Sequence, residues 1–116
     1  MATKADKPAP KMGDVVGSGT LPDGRPYHDV YLDEARKYRL TRILVSESDK
    51  AYDDSLNPDE TSNPRLNGRI QLAFAIVEPK TTIDDFEKLT AVDLQALFRG
   101  FNRLNTLPPA DNEGNA

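Results

Sequence analysis

The chain contains no cysteine and a single histidine. The first absence excludes disulfides and thiolate metal sites. The second removes most metal centres and Ser-His-Asp arrangements, which need more than one well-placed imidazole or a triad around it. Long apolar runs are also missing. None approaches the roughly 20 residues needed to span a bilayer, so no membrane partner is expected. Met1–Met12 carries lysines but lacks the apolar centre of a secretory signal, which makes the cytoplasm the expected compartment. Positive charge is in short supply too: the net charge is −4. A general nucleic-acid binder normally carries a basic footprint to neutralise phosphates, so no nucleic-acid partner is expected.

The apolar share is 37% and the charged share 29%, which fits a soluble domain with a thin core. Residues 1–19, mostly Lys, Ala, Pro, Gly and Asp, read as a disordered arm, and 106–116 as a frayed polar tail. The part between them, 20–105, is short enough to bury only about 60–65% of its unfolded surface. Such a domain has reason to lean on a partner or on copies of itself.

Pro22-Asp23-Gly24-Arg25 is a turn signal, with proline fixing φ, aspartate bonding to the backbone and glycine free to take positive φ. The β-formers from Tyr27 to Leu32 follow it, so Leu21–Leu32 reads as a hairpin. In Asp33–Ser46 the charges spread round a helical wheel, whereas period two puts Tyr38, Leu40 and Leu44 on one side. The favoured reading is a turn at Asp33–Arg36 and a strand over Lys37–Ser46, with a helix as the alternative. Glu47–Asn63 reads as an acidic loop.

Asn63 is a plausible N-cap, and Pro64 suits the first helical position because its missing N–H costs nothing there. Leu66, Ile70, Ala73, Phe74 and Val77 then share one helical face. Ile70, Leu72, Phe74 and Ile76 also alternate, so a strand remains the alternative. Glu78-Pro79 stops the segment. Thr82 and Thr90 are each followed three residues later by an acid, Asp85 and Asp93, in the manner of capping boxes. These predict a helical turn over Ile83–Leu89 and a helix over Ala91–Leu104, with Leu94, Leu97, Phe98, Phe101 and Leu104 as its stripe. The fold class is therefore α+β: a small antiparallel sheet over about 20–46, then a helical half over about 64–104.

No constellation of catalytic residues stands out. His28 and Asp29 are strand neighbours and point to opposite faces. The acids Asp49, Asp53, Asp54, Asp59 and Glu60 lack the central glycine and register of an EF-hand loop. Asp85 and Asp93 are accounted for as caps. Arg36, Lys37, Arg39 and Arg42 form a basic cluster with no aromatic platform beside it. No catalytic residue, metal or cofactor is expected. The two apolar stripes exceed what so small a body readily hides, and some of that excess should lie at an interface. Ile70, Phe74, Leu97, Phe98 and Phe101 are the candidates for core or partner contact.

The β-rich opening, the charged connector and the apolar helix are followed by the run Ile83-Asp84-Asp85-Phe86-Glu87-Lys88-Leu89-Thr90-Ala91-Val92-Asp93-Leu94. This order and cadence resemble the small tail assembly chaperones of long-tailed bacteriophages. The likeness covers roughly residues 20–104. It implies a non-enzymatic protein that binds the apolar-rich tape-measure protein, helps recruit tail-tube subunits and self-associates. The rival expectation is a structural tail, neck or baseplate accessory protein built into the virion.

Overall fold

A computed structural model describes residues 8–107, which form an α+β fold. Three strands come first: β1 (Val15–Thr20), β2 (Pro26–Asp33) and β3 (Arg36–Thr41). Helices α1 (Val45–Asp54) and α2 (Pro64–Ala75) follow, and then strand β4 (Ile76–Glu78). A 3₁₀ helix (Ile83–Lys88) leads into α3 (Ala91–Asn105). The sheet is antiparallel throughout, in the order β1-β2-β3-β4.

Local chemistry builds the hairpins. The Leu21 N–H donates to the Arg25 carbonyl (2.8 Å) and the Gly24 N–H to the Leu21 carbonyl (2.9 Å). Gly24 sits at φ +93°, which is why glycine stands there. The turn falls where the sequence places it, but the strand before it does not. Residues 15–19, expected in a disordered arm, form β1 together with Thr20. Their order comes from the ladder to β2 and from Gly13 and Asp14, which bond to Tyr31 at 2.7 and 2.9 Å. Residues 1–7 of that arm and 108–116 of the tail lie outside the described residues.

The strand expected over Lys37–Ser46 is also corrected. It ends at Thr41, and Val45 already opens α1. The acidic loop at 47–63 shrinks accordingly to 55–63. Glu47 accepts from the Leu44 N–H at 2.8 Å and Lys50 pairs with Asp54 at 3.0 Å, holding the two ends of the helix. Ala51 and Ser55 are buried, and the helix packs on α2.

Helix α2 begins as its caps dictate, with the Asn63 side chain accepting from the Leu66 N–H at 3.2 Å. It ends three residues before Glu78. Ile76–Glu78 instead pairs with β3, placing Ile76 opposite Leu40 and Glu78 opposite Arg39. Helix α3 opens on a capping box. Thr90 Oγ1 accepts from the Asp93 N–H (3.0 Å), and the Asp93 carboxylate accepts from the Thr90 N–H (3.1 Å). Asp93 also takes the Arg36 guanidinium at 3.1 Å, although it is only 3% exposed. Burial pushes the Asp93 carboxyl up, but Arg36 and the Thr90 groups outweigh it and hold the carboxyl below its usual range.

One face of the sheet carries the core. Val30, Leu32 and Leu40 meet Leu72 and Ala75 of α2, and Ala96, Leu97, Phe101 and Leu104 of α3, with Phe86 and Ile76 at the sides. The Asn105 side chain fastens the far end of α3. It donates to the Thr41 carbonyl (3.2 Å) and accepts from the Ile43 N–H (2.9 Å). The opposite face of the sheet holds Tyr27, Asp29, Tyr31, Lys37 and Arg39, with no described helix over it.

Candidate functional site

The five residues singled out from the stripes divide cleanly. Leu97 is fully enclosed and Phe101 is 8% exposed, and both belong to the main core. Phe98 is half-buried at the margin of that core, where its ring meets Phe101 edge-on (6.4 Å, 81°) and approaches Gly68. Ile70 is buried and Phe74 half-buried, and neither joins the main cluster.

The reason lies in how α2 is seated. Leu72 and Ala75 turn inward to the sheet and α3. One turn away round the helix, Ile70, Ala73 and Phe74 face the returning chain at Thr81–Asp84. Between them lies a groove of about 440 Å³, lined by Ile70, Ala73, Phe74 and Ile83 with Thr81, Thr82 and Asp84. Its walls are apolar and its one charged lining residue is Asp84. A second groove of about 420 Å³ runs between Arg69 of α2 and Leu94, Gln95 and Phe98 of α3, over the segment from Phe86 to Ala91. Both volumes fall within the range of ligand-sized clefts. Apolar walls with few polar groups suit the burial of another apolar surface, because each stretch of surface removed from water is favourable without any chemistry.

The geometry of the wall is fixed by a cap. The Asp85 carboxylate accepts from the Thr82 N–H (2.8 Å) and from its hydroxyl (3.2 Å), which turns Ile83 toward α2. Those bonds, the backbone one first, hold the Asp85 carboxyl below its usual value.

The supposed basic cluster is dispersed. Arg36 bridges Asp33 and Asp93. Arg39 forms a two-point pair with Asp29 (2.8 and 3.2 Å), and its guanidinium carbon lies 3.9 Å from the centre of the Tyr27 ring. Arg42 donates to the Leu104 carbonyl. These three arginines are internal braces, and only Lys37, beside Arg39 on the helix-free face, is left without such a bond among the described residues. Asp29 and His28 lie on opposite faces of β2, as strand geometry requires.

His28 faces inward, with its Nδ1 buried and without a partner. Burial, and then the nearby Arg103, pull its pKa down, against a smaller upward pull from Asp29. The unfolded chain therefore takes up a proton at higher pH than the folded one. Stability is complete above about pH 6.5 and declines as pH falls from there through the folded-state value. We expect the urea midpoint to drop between pH 7.5 and 5.5, and His28→Leu to remove most of that drop. An unchanged drop in the variant would exclude His28 as its source.

Several exposed apolar residues lie away from the stripes. Val45 and Tyr52 stand on one face of α1, and Val15 and Val16 on β1. The seven-residue spacing of Val45 and Tyr52 marks a helical face, but only if α1 is first read as a helix. Among the described residues, no helix is long and apolar enough to cross a membrane, and no protein family, curated protein or solved structure matches the chain.

Proposed function

We propose that this protein is a non-enzymatic assembly chaperone whose groove beside α2 accepts apolar faces of a client's helices. The observation that carries the reading is the Ile70–Phe74 groove, two hydrophobes of α2 kept out of the main core and turned toward an apolar wall. An amphipathic helix laid into such a groove buries its anchors at i, i+3 or i+4 and i+7. The resemblance of residues 83–94 to the phage tail assembly chaperones supplies the client, a tape-measure protein, and the setting, the host cytoplasm. In the same setting the protein helps bring tail-tube subunits to the loaded client. The net negative charge keeps the loaded complex in solution.

Co-expression with a candidate tape-measure protein tests this. The client is expected to become soluble with the native chain and to precipitate with Phe74→Asp. Phe74 is half-buried, so the variant should stay folded by circular dichroism. A client that remains insoluble beside the native chain overturns the reading. One observation favours a second reading, a structural virion component: among the described residues nothing pairs with the outer edge of β1, which can take up a neighbouring subunit's strand. A stoichiometric amount of the protein in purified virions would select that alternative.

A further inference from the structure

Strand β1 lies at the margin of the sheet, and among the described residues nothing pairs with its outer side. Its sequence, Val-Val-Gly-Ser-Gly-Thr, contains neither proline nor charge, two of the usual devices that keep an edge from pairing. A bulge at Val15/Gly17 limits the regular stretch to its second part.

The two glycines give this edge a particular chemistry. Gly17 and Gly19 face Asp29 and Tyr27 on the helix-free side of the sheet. Having no side chains, they let those two residues lean outward across β1. A Cβ on Gly19 would lie 2.6 Å from the Tyr27 phenol oxygen, and one on Gly17 would lie 2.7 Å from Asp29 Oδ2. A donor and an acceptor thus rest over the strand, two residues apart.

We infer that β1 pairs antiparallel with β1 of a second copy about a two-fold axis at Ser18, joining two four-stranded sheets into one. In that register Ser18 faces its own counterpart and Gly17 of each copy faces Gly19 of the other. Facing Cβ positions in an antiparallel pair are about 4.5–5.5 Å apart. Each phenol is therefore carried to the other copy's Asp29, and symmetry makes the bond twice. A two-fold axis centred on a residue preserves side-chain faces, whereas a slip by one would set inner residues against outer ones. The Asp29 charge is already balanced by Arg39, so meeting a phenol brings no unpaired charge into the seam. The strand has no charge to set against its own copy. This self-complementarity is what selects a second copy as the occupant. The inference is independent of the groove and of any client.

The chain has no cysteine, so single cysteines report the register directly. Ser18→Cys is nearly isosteric, and in the paired dimer its two sulfurs face each other within disulfide reach. Thr20→Cys places the equivalent pair about 13 Å apart along the strands. Under mild oxidation the full chain with Ser18→Cys is expected to form a covalent dimer quickly, and Thr20→Cys to do so far more slowly. In sedimentation of the unmodified protein the dimer fraction should rise with concentration. Tyr27→Phe should weaken the dimer about tenfold while leaving the circular dichroism spectrum unchanged. Equal crosslinking of the two cysteine variants, or a monomer at every concentration, would overturn the inference.

Discussion

Replacing Leu97 with alanine is expected to cost about 3–4 kcal/mol, close to the whole stability of a domain this size. Leu97 is fully enclosed in a core assembled from three directions, with Val30 and Leu40 from the sheet, Leu72 from α2 and Phe101 from its own helix. A sheet on one side and a helix on the other cannot both move in to fill the space, so the cavity term should be near its full value. In thermal unfolding the midpoint should fall by about 15–25 °C. Phe98→Ala removes a larger side chain, but one that is half-buried and bordered by a groove. It should cost about 1–2 kcal/mol, mostly its edge-on contact with Phe101 and its burial against Gly68. The contrast is the informative result. Equal losses at the two positions would mean that Phe98 belongs to the interior and that the second groove is closed in solution.

The second large effect is expected at Gly100, where α3 lies close against the sheet. A Cβ there would come 2.8 Å from Val30 Cγ2 and 3.7 Å from Leu40 Cδ2, and both of those residues are fully enclosed. Alanine gains about 1 kcal/mol of helix propensity over glycine. Overpacking costs about 1–3 kcal/mol and should win, because a β-branched valine with no exposed surface has no free rotamer to retreat into. Gly100→Ala should therefore destabilise by up to about 2 kcal/mol and Gly100→Val by about 3 kcal/mol or more. Val30→Ala opens the space that the new methyl needs. In a double-mutant cycle the pair Gly100→Ala and Val30→Ala should couple favourably by about 1–2 kcal/mol. Additive effects in urea unfolding would show that the helix shifts instead of clashing.

What could be read from the chain beforehand follows the range of the interactions involved. The starts of α2 and α3 were legible because a cap is a local bond: Asn63 to Leu66, Thr90 to Asp93. The first turn was legible for the same reason, with Gly24 marking its positive φ. Strand β1 was not, because Gly-Ser-Gly has no strand preference of its own. It is ordered by β2, and its glycines make sense only once Tyr27 and Asp29 are seen lying over them. Helix α1 was hidden because its one buried residue is Ala51, followed by the buried Ser55 just past its end, both too small to leave a periodic mark. The change from α2 to β4 was hidden by sequence that suits both periods, Ile70-Leu72-Phe74-Ile76 as well as Ile70-Ala73-Phe74-Val77.

The candidate site shows the same limit. All five stripe residues were identifiable as apolar positions with a helical repeat, yet the repeat cannot separate interior from groove. That separation is made by where the chain returns after β4, which puts Thr81–Asp84 beside Phe74 and nothing comparable beside Leu97. The arginines illustrate the converse. Four basic residues within seven positions look like one surface, but two of them, Arg36 and Arg39, are taken up by carboxylates at 29, 33 and 93 from different elements, and Arg42 by the Leu104 carbonyl.

The brevity of β4 has a mechanical consequence. Three residues, joined to β3 through an irregular register, hold the near end of the segment opposite Phe74 to the sheet, while the buried Phe86 anchors its far end in the core. So short a ladder opens locally at far lower free energy than α3 or the central strands. One bank of the cleft is then held at its two ends and the other along a whole helix. Opening of β4 would loosen that bank at one end while the central strands and α3 stay in place.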